Sequence, residues 1–304
     1  MKTVACLTGS GTAPELMAEA MYALDEVARV HGFAFEQVHA PFGGVALARL
    51  GQAVPPSTRD AVLGADAVLV AGAEEPALDE VMAELDLRAR VTRVRFGKHD
   101  DVVLVTPVSV AAAEWTVERA FAVAESRHLR LACVGDNGWC ELVNLAAPAH
   151  EHVRVEHVPP RDAMPFAAFN PGRFDVVAVA PALAEGMVEI AAAAASHRVA
   201  AHALLAEHGP SLFVPSPDGG FALAGHGVVN PSSMLLAAAL ALEHGLGRPA
   251  AAATLAGAVS AALVDEPVRL GIRDSSREFT RRVLGGFQLT MRTEFPGPRA
   301  EFYA

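Results

Sequence analysis

Short apolar runs alternate with longer Ala, Leu and Glu-rich segments along this chain. Thr3–Leu7, Ala67–Ala71, Val102–Val105, Leu129–Val134 and Val176–Ala180 are apolar or β-branched almost throughout and are bounded by turn residues. Strands buried on both faces have this pattern, whereas a half-exposed strand would alternate. Between them, Glu114–Ser126 and Ala184–Ala195 read as helices. The first strand passes through Gly9-Ser10-Gly11 into a helix that opens at Pro14-Glu15. Proline suits a first turn whose N–H groups lack partners, and glutamate suits its positive end. Together these elements predict an α/β fold with a layered sheet and helices.

Composition sharpens this reading. The chain has 304 residues, 24 basic and 35 acidic, with a net charge of −11. Apolar residues make up 52% and charged residues 19%, which supports a large core and excludes intrinsic disorder. With no basic run, nucleic acid is not an expected partner. Cys6, Cys133 and Cys140 are odd in number and form no C-x-x-C pair, so a disulfide framework is not expected and a cytoplasmic location is. No stretch reaches 18 uninterrupted apolar residues, so no membrane span is expected, and the opening MKTVACLTGSG is too short for a secretion signal. Pro296–Ala304 reads as an extended tail.

Several motifs occur in a collinear order. Leu7-Thr8-Gly9-Ser10-Gly11-Thr12-Ala13-Pro14-Glu15 comes first, then Pro41-Phe42-Gly43-Gly44 and Pro56-Ser57-Thr58-Arg59. Leu85-Asp86-Leu87-Arg88-Ala89-Arg90-Val91, Phe174-Asp175-Val176-Val177 and Gly225-His226-Gly227-Val228-Val229-Asn230-Pro231 follow. Leu242-Glu243-His244 and Ser276–Thr280 close the series. In this order the chain resembles the isocitrate and isopropylmalate dehydrogenases, the metal-dependent decarboxylating β-hydroxyacid dehydrogenases. The resemblance implies an isopropylmalate-dehydrogenase-like two-domain α/β fold with a central mixed sheet flanked by helices. Residues 1–87 with 196–304 would form the large, cofactor-side domain, and 88–195 the second, which carries homodimer contacts. The active site would lie between them and draw on both subunits.

The same resemblance locates candidate chemistry. The family holds its metal with three aspartates. Asp162 falls on the first, and Glu185 and Glu189 fall on the helix that carries the other two. Residues four apart share a helical face, and three carboxylates suit Mg²⁺ or Mn²⁺. A solvated acidic face is the plain alternative. The family's catalytic lysine falls on Asp136, which with Asp162 is the catalytic candidate. Asp136 also fits an Asx turn in Gly-Asp-Asn-Gly. The catalytic tyrosine is missing along with its arm, because Thr106 and Trp115 are separated by only a short segment. The substrate-clamping arginines fall on Met82, Thr92 and Thr106. Arg88 and Arg90 stand on the same strand face as Thr92 and could grip a small carboxylate, unless Arg88, Arg90, Arg93 and Arg95 are a basic surface strand.

The nucleotide loop becomes Pro217-Asp218-Gly219-Gly220-Phe221-Ala222, without the family's histidine and ribose-binding aspartate. Asn230 remains, and Asp218 brings negative charge where a pyrophosphate would pass, so NAD binding in the family manner is doubtful. His150-Glu151-His152 with His157 reads as a polar edge rather than a metal site, and Cys133 and Cys140 as buried bystanders. The expected function is a metal-dependent enzyme of decarboxylase or lyase type on a small carboxylic acid, with the NAD-dependent step impaired or lost. An NAD(P)-dependent 2-hydroxyacid dehydrogenase with a rearranged cofactor loop, and a non-catalytic scaffold, are the alternatives.

Overall fold

The computed structural model describes residues 1–73, 75–95, 101–194, 199–216, 221–265 and 275–294. The chain opens with β1 (Lys2–Leu7), α1 (Ala13–His31), β2 (Phe35–Ala40), α2 (Gly43–Leu50), α3 (Pro56–Leu63), β3 (Ala67–Val70) and α4 (Ala77–Ala83). It continues through β4 (Leu87–Arg95), β5 (Asp101–Pro107), α5 (Ala113–Glu125), β6 (Arg130–Val134), α6 (Asn137–Ala146) and β7 (Arg154–His157). Then come α7 (Pro160–Phe169), β8 (Val176–Val179), α8 (Pro181–Ala194), β9 (Val199–Ala206) and β10 (Ser211–Pro215). Three helices end the chain: α9 (Ser232–Leu240), α10 (Pro249–Asp265) and α11 (Ser276–Glu294). The predicted strands lie within a residue or two of those observed. A single short 3₁₀ turn, Val110–Ala112, links β5 to α5 where the arm would stand. The tail beyond residue 294 lies outside the described residues.

The strands form one ten-stranded sheet in the order β2-β1-β3-β10-β9-β4-β5-β8-β6-β7. β1, β2, β3 and β10 run parallel, as do β5, β6, β7 and β8. β9 pairs antiparallel with both β10 and β4, and β4 antiparallel with β5. The two halves of the sheet therefore point their C-terminal ends toward opposite edges.

Side chains alternate between faces along each strand, and the two faces are covered differently. On one, Val4, Cys6, Leu69, Val91, Val105, Ala178 and Phe213 join helices α1, α5, α6, α9, α10 and α11 in a single large core. On the other, the core is split. Leu7, Val70, Leu204 and Leu212 pack with α3 and α4, while Leu104, Val134, Val177 and Val179 pack with α7 and α8. The division falls on β4, where Arg90 stands opposite Leu204 of one cluster and Thr92 opposite Leu104 of the other. No helix among the described residues is long and apolar enough to cross a membrane.

Candidate functional site

The seam between the two helical layers is polar. Arg90 and Thr92 share its face with Thr106 of β5 and His202 of β9, which their registers place directly opposite. Thr92 Oγ1 lies 2.9 Å from His202 Nδ1, and Ser216 Oγ lies 3.1 Å from His202 Nε2. Burial, assisted by the charge of Arg90, lowers the His202 pKa to about 4. The imidazole is therefore neutral at pH 7, with one nitrogen donating and the other accepting, so the two hydroxyls take opposite roles. Among the described residues, no carboxylate pairs with Arg90.

At the C-terminal ends of β1 and β3, a second group surrounds one carboxylate. The Ser10 backbone N–H donates to Glu75 Oε1 at 2.8 Å, and the Ser10 hydroxyl donates to the same oxygen. The Gly44 N–H donates to Glu75 Oε2 at 3.1 Å. Glycine is required at Gly43, where φ is +68° and a methyl group would run into the Glu75 carboxylate. A methyl on Gly72 would come within 2.9 Å of Glu75 Cγ. Beside this cradle, Glu15 in the first turn of α1 accepts the N–H of Gly225 and, at 2.9 Å, that of Gly227. The motif that opens the chain and the Gly225–Pro231 motif, far apart in sequence, thus meet through three named residues.

No family model matches the chain. The 3-isopropylmalate dehydrogenase of Synechococcus sp. (strain CC9605) is 28% identical to it, over 86% of this chain and 90% of that protein. The enzyme of the same name from Streptococcus mutans is 25% identical, over 86% and 92%. The fold matches a solved β-decarboxylating dehydrogenase from Thermococcus kodakarensis with a TM-score of 0.83 at 20% identity, over 97% of this chain and 99% of that one. It matches the isocitrate dehydrogenase of Methylococcus capsulatus with a TM-score of 0.78 at 16% identity, over 95% and 100%. The chain thus resembles the 3-isopropylmalate dehydrogenases over most of its length and shares the fold of the isocitrate and β-decarboxylating dehydrogenases, as a divergent relative.

The residues that the sequence motifs pointed to are distributed as follows. Asp162 sits in the first turn of α7, and Glu185 and Glu189 lie on α8; all three are exposed. The two helices pack through Ala163, Ala167, Ala184, Met187 and Val188, so the acidic side chains face away from their shared core. Within one chain the three carboxylates do not form a group of ligand atoms within 4.8 Å of one another. Arg88 is engaged by Asp86 at 2.9 Å and Glu207 at 3.3 Å. Asn230 Oδ1 accepts the Ser232 N–H at 3.0 Å ahead of α9. Asp218 lies outside the described residues.

Asp136 caps α6, its carboxylate accepting the Trp139 N–H at 2.9 Å. Serine caps a helix as well as aspartate but carries no charge. Asp136→Ser should therefore unfold within about 0.5 kcal/mol of wild type, whereas Asp136→Ala should lose about 1 kcal/mol. Urea titration compares the two, and equal losses would contradict the cap. Turnover then separates the roles, because a proton-transferring Asp136 would be lost equally in both variants.

Two readings of polar residues are corrected. Arg93 and Arg95 do not belong to a basic surface strand. Both are buried against Asp101, at 3.0 and 3.7 Å, and Arg93 also meets Glu243 at 3.3 Å. Asp101 extends this network to Arg127 at 2.6 Å, which also pairs with Asp175 at 2.7 Å. His150 and His152 precede β7 rather than lying on it. His150 is held by Glu118 and Glu125 and stacked on Phe121. His202, Ser216 and Glu75 escaped sequence reasoning. His202 interrupts an otherwise apolar strand, Val199–Ala206, and that lone polar residue was the available signal.

Proposed function

We propose that this chain is a metal-dependent enzyme acting on a small carboxylic acid, with decarboxylase or lyase-type chemistry and without the family's ordinary nicotinamide step. The observation that carries this reading is the Glu75 cradle. Backbone N–H groups at the C-terminal ends of parallel strands are where open α/β sheets receive phosphates. Here the chain's own carboxylate takes those donors, so a pyrophosphate brought there would meet a negative charge and find its hydrogen bonds spent. Asp218 would add to that repulsion, and Asn230 is the remaining cofactor-side candidate.

Arg90 fits the role of carboxylate anchor, since no acid among the described residues neutralises it, with Thr92 beside it and Arg88 at the mouth of the seam. Glu185 and Glu189 would hold Mg²⁺ or Mn²⁺ together with Asp162 of the partner subunit, because one chain alone does not bring the three together. Hard oxygen ligands suit either ion, which when bound supplies polarisation of a substrate oxygen. Asp162 and Asp136 are the candidate proton-transfer groups. The assembly is then a homodimer in which the partner completes the metal site.

Thermal unfolding tests this. Millimolar Mn²⁺ or Mg²⁺ should raise the melting temperature, with a stabilisation of about 2.7 kcal/mol at a hundredfold excess over Kd. Glu185→Gln with Glu189→Gln should abolish the shift, and millimolar NAD or NADP should produce none. An unchanged melting temperature with both ions would favour the scaffold alternative. Micromolar NAD binding would restore the dehydrogenase alternative.

A further inference from the structure

On the sheet face away from the polar seam, three metal-ligating side chains from three separate elements converge. Cys133 on β6 and His157 on β7 are direct register partners, so their side chains leave the sheet on the same side. Cys140 comes down from α6, which packs on that side through Trp139 and Val143. The two sulfurs are 3.5 Å apart, and one ring nitrogen of His157 lies within 4.8 Å of both. We propose that Cys133, Cys140 and His157 form a site for one thiophilic divalent ion, Zn²⁺ above all, with its fourth position open to solvent.

Geometry favours an ion over a disulfide. With Zn–S bonds of about 2.3 Å at a tetrahedral angle, two thiolates on one ion stand roughly 3.8 Å apart. The observed 3.5 Å is within a few tenths of this. A disulfide needs about 2.05 Å, so the sulfurs would have to close by roughly 1.5 Å. The surroundings are already fixed. α6 is held at its start by the Asp136 cap and by the Trp139 indole, which donates to the Ala178 carbonyl at 3.1 Å. His157 Nε2 lies 2.8 Å from Asn144 Oδ1, an acceptor, so the ring proton sits on Nε2 and the lone pair on Nδ1. Donation of the non-ligating N–H to a carbonyl is the usual support of a metal-bound imidazole. Two thiolates and an imidazole select a borderline-soft ion, unlike the all-oxygen set of Asp162, Glu185 and Glu189. Cys140 is partly exposed and His157 exposed, which leaves an entry path. The other such cluster among the described residues, Asp86, Glu207 and His208, already has Arg88 across its carboxylates.

Cobalt titration of the full, reduced, metal-free chain tests the site. One equivalent of Co²⁺ should produce an intense thiolate-to-cobalt band in the near ultraviolet and release protons from the two thiols. Stoichiometric Zn²⁺ should bleach that band. Cys140→Ser should cut the band roughly in half, and His157→Gln should keep it while weakening affinity by at least about tenfold. His157 is exposed, so its variant should keep the wild-type circular dichroism. Absence of the band at stoichiometric Co²⁺ would overturn the proposal. So would a band undiminished in Cys133→Ser with Cys140→Ser, a variant that retains Cys6. Ions at the carboxylates of α7 and α8 give no such band, so the result is independent of the reading proposed above.

Discussion

Asp101→Ala should lower the free energy of unfolding by roughly 3–5 kcal/mol, the range for breaking a buried ion pair from one side. Arg93, Arg95 and Arg127 all meet Asp101, while Glu243 also pairs with Arg93 and Asp175 with Arg127. Removing Asp101 takes the shared acceptor from three guanidinium groups in a region from which water is largely excluded. Burial by itself would raise the Asp101 pKa, but Arg93, Arg127 and Arg95 overcome it and hold the carboxyl below its usual range. Because the folded pKa is depressed, this stabilisation is present above the unfolded value of about 3.9 and is lost as pH falls through the folded one. Urea unfolding at pH 7 should show the full gap between variant and wild type, and the gap should narrow progressively below about pH 4. A gap under about 1 kcal/mol at pH 7 would place the network among the weak surface pairs. The network also bears on the seam, since Arg93 adjoins Thr92 and anchors the strand that presents it.

Glu75→Ala should destabilise the fold by about 1–3 kcal/mol, the cost of leaving backbone donors without their charged acceptor. It should also make the fold sensitive to anions. With the carboxylate gone, the N–H groups of Ser10 and Gly44 and the Ser10 hydroxyl converge on open space, and phosphate or sulfate can take their hydrogen bonds. The melting temperature of Glu75→Ala should then rise with phosphate, while wild type shows no rise beyond that of an ionic-strength control. If the two responded alike, Glu75 would be an ordinary loop carboxylate and the cradle would not support the proposed loss of nucleotide binding. Gly43→Ala reaches the same cradle from the other side, forcing the Glu75 carboxylate off its donors.

The sequence made the fold legible wherever burial was continuous. β1, β3, β5, β6 and β8 are apolar runs with both faces covered, so composition and structure coincide there. β4 was harder, because its alternating arginines suggest a solvated face. Asp101 meets two of them only through the pairing of β4 with β5, and Glu243 is distant in sequence, so no pattern within β4 announces either partner. The candidate site divides in the same way. Asp136, Asp162, Glu185 and Glu189 were singled out by motif order, and of their helices only α8 was expected, α6 and α7 being findings of the structure. What those residues face depends on packing, and in Asp136 packing adds the local duty of a cap. Cys133, Cys140 and His157 showed no metal spacing, because the register of β6 against β7 and the seating of α6 bring them together. Glu75 was hidden for a related reason: its partners, Ser10 and Gly44, come from two other loops.

The order of strands in the sheet also governs how the molecule can be made. Among the described residues β9 and β10 are the last strands in sequence, yet they occupy the middle of the sheet, between β3 and β4. Until residues 199–215 emerge, β3 and β4 each present a bare hydrogen-bonding edge, and β3 is apolar throughout. Such edges invite pairing with other chains. Before that point the sheet lacks its centre, and exposed strand edges of this kind make partly made chains prone to aggregate. The outer strands β2 and β7 keep one free edge in the finished sheet, blunted by their polar side chains. In sequence terms, β9 and β10 join the two halves by filling the interior of the sheet.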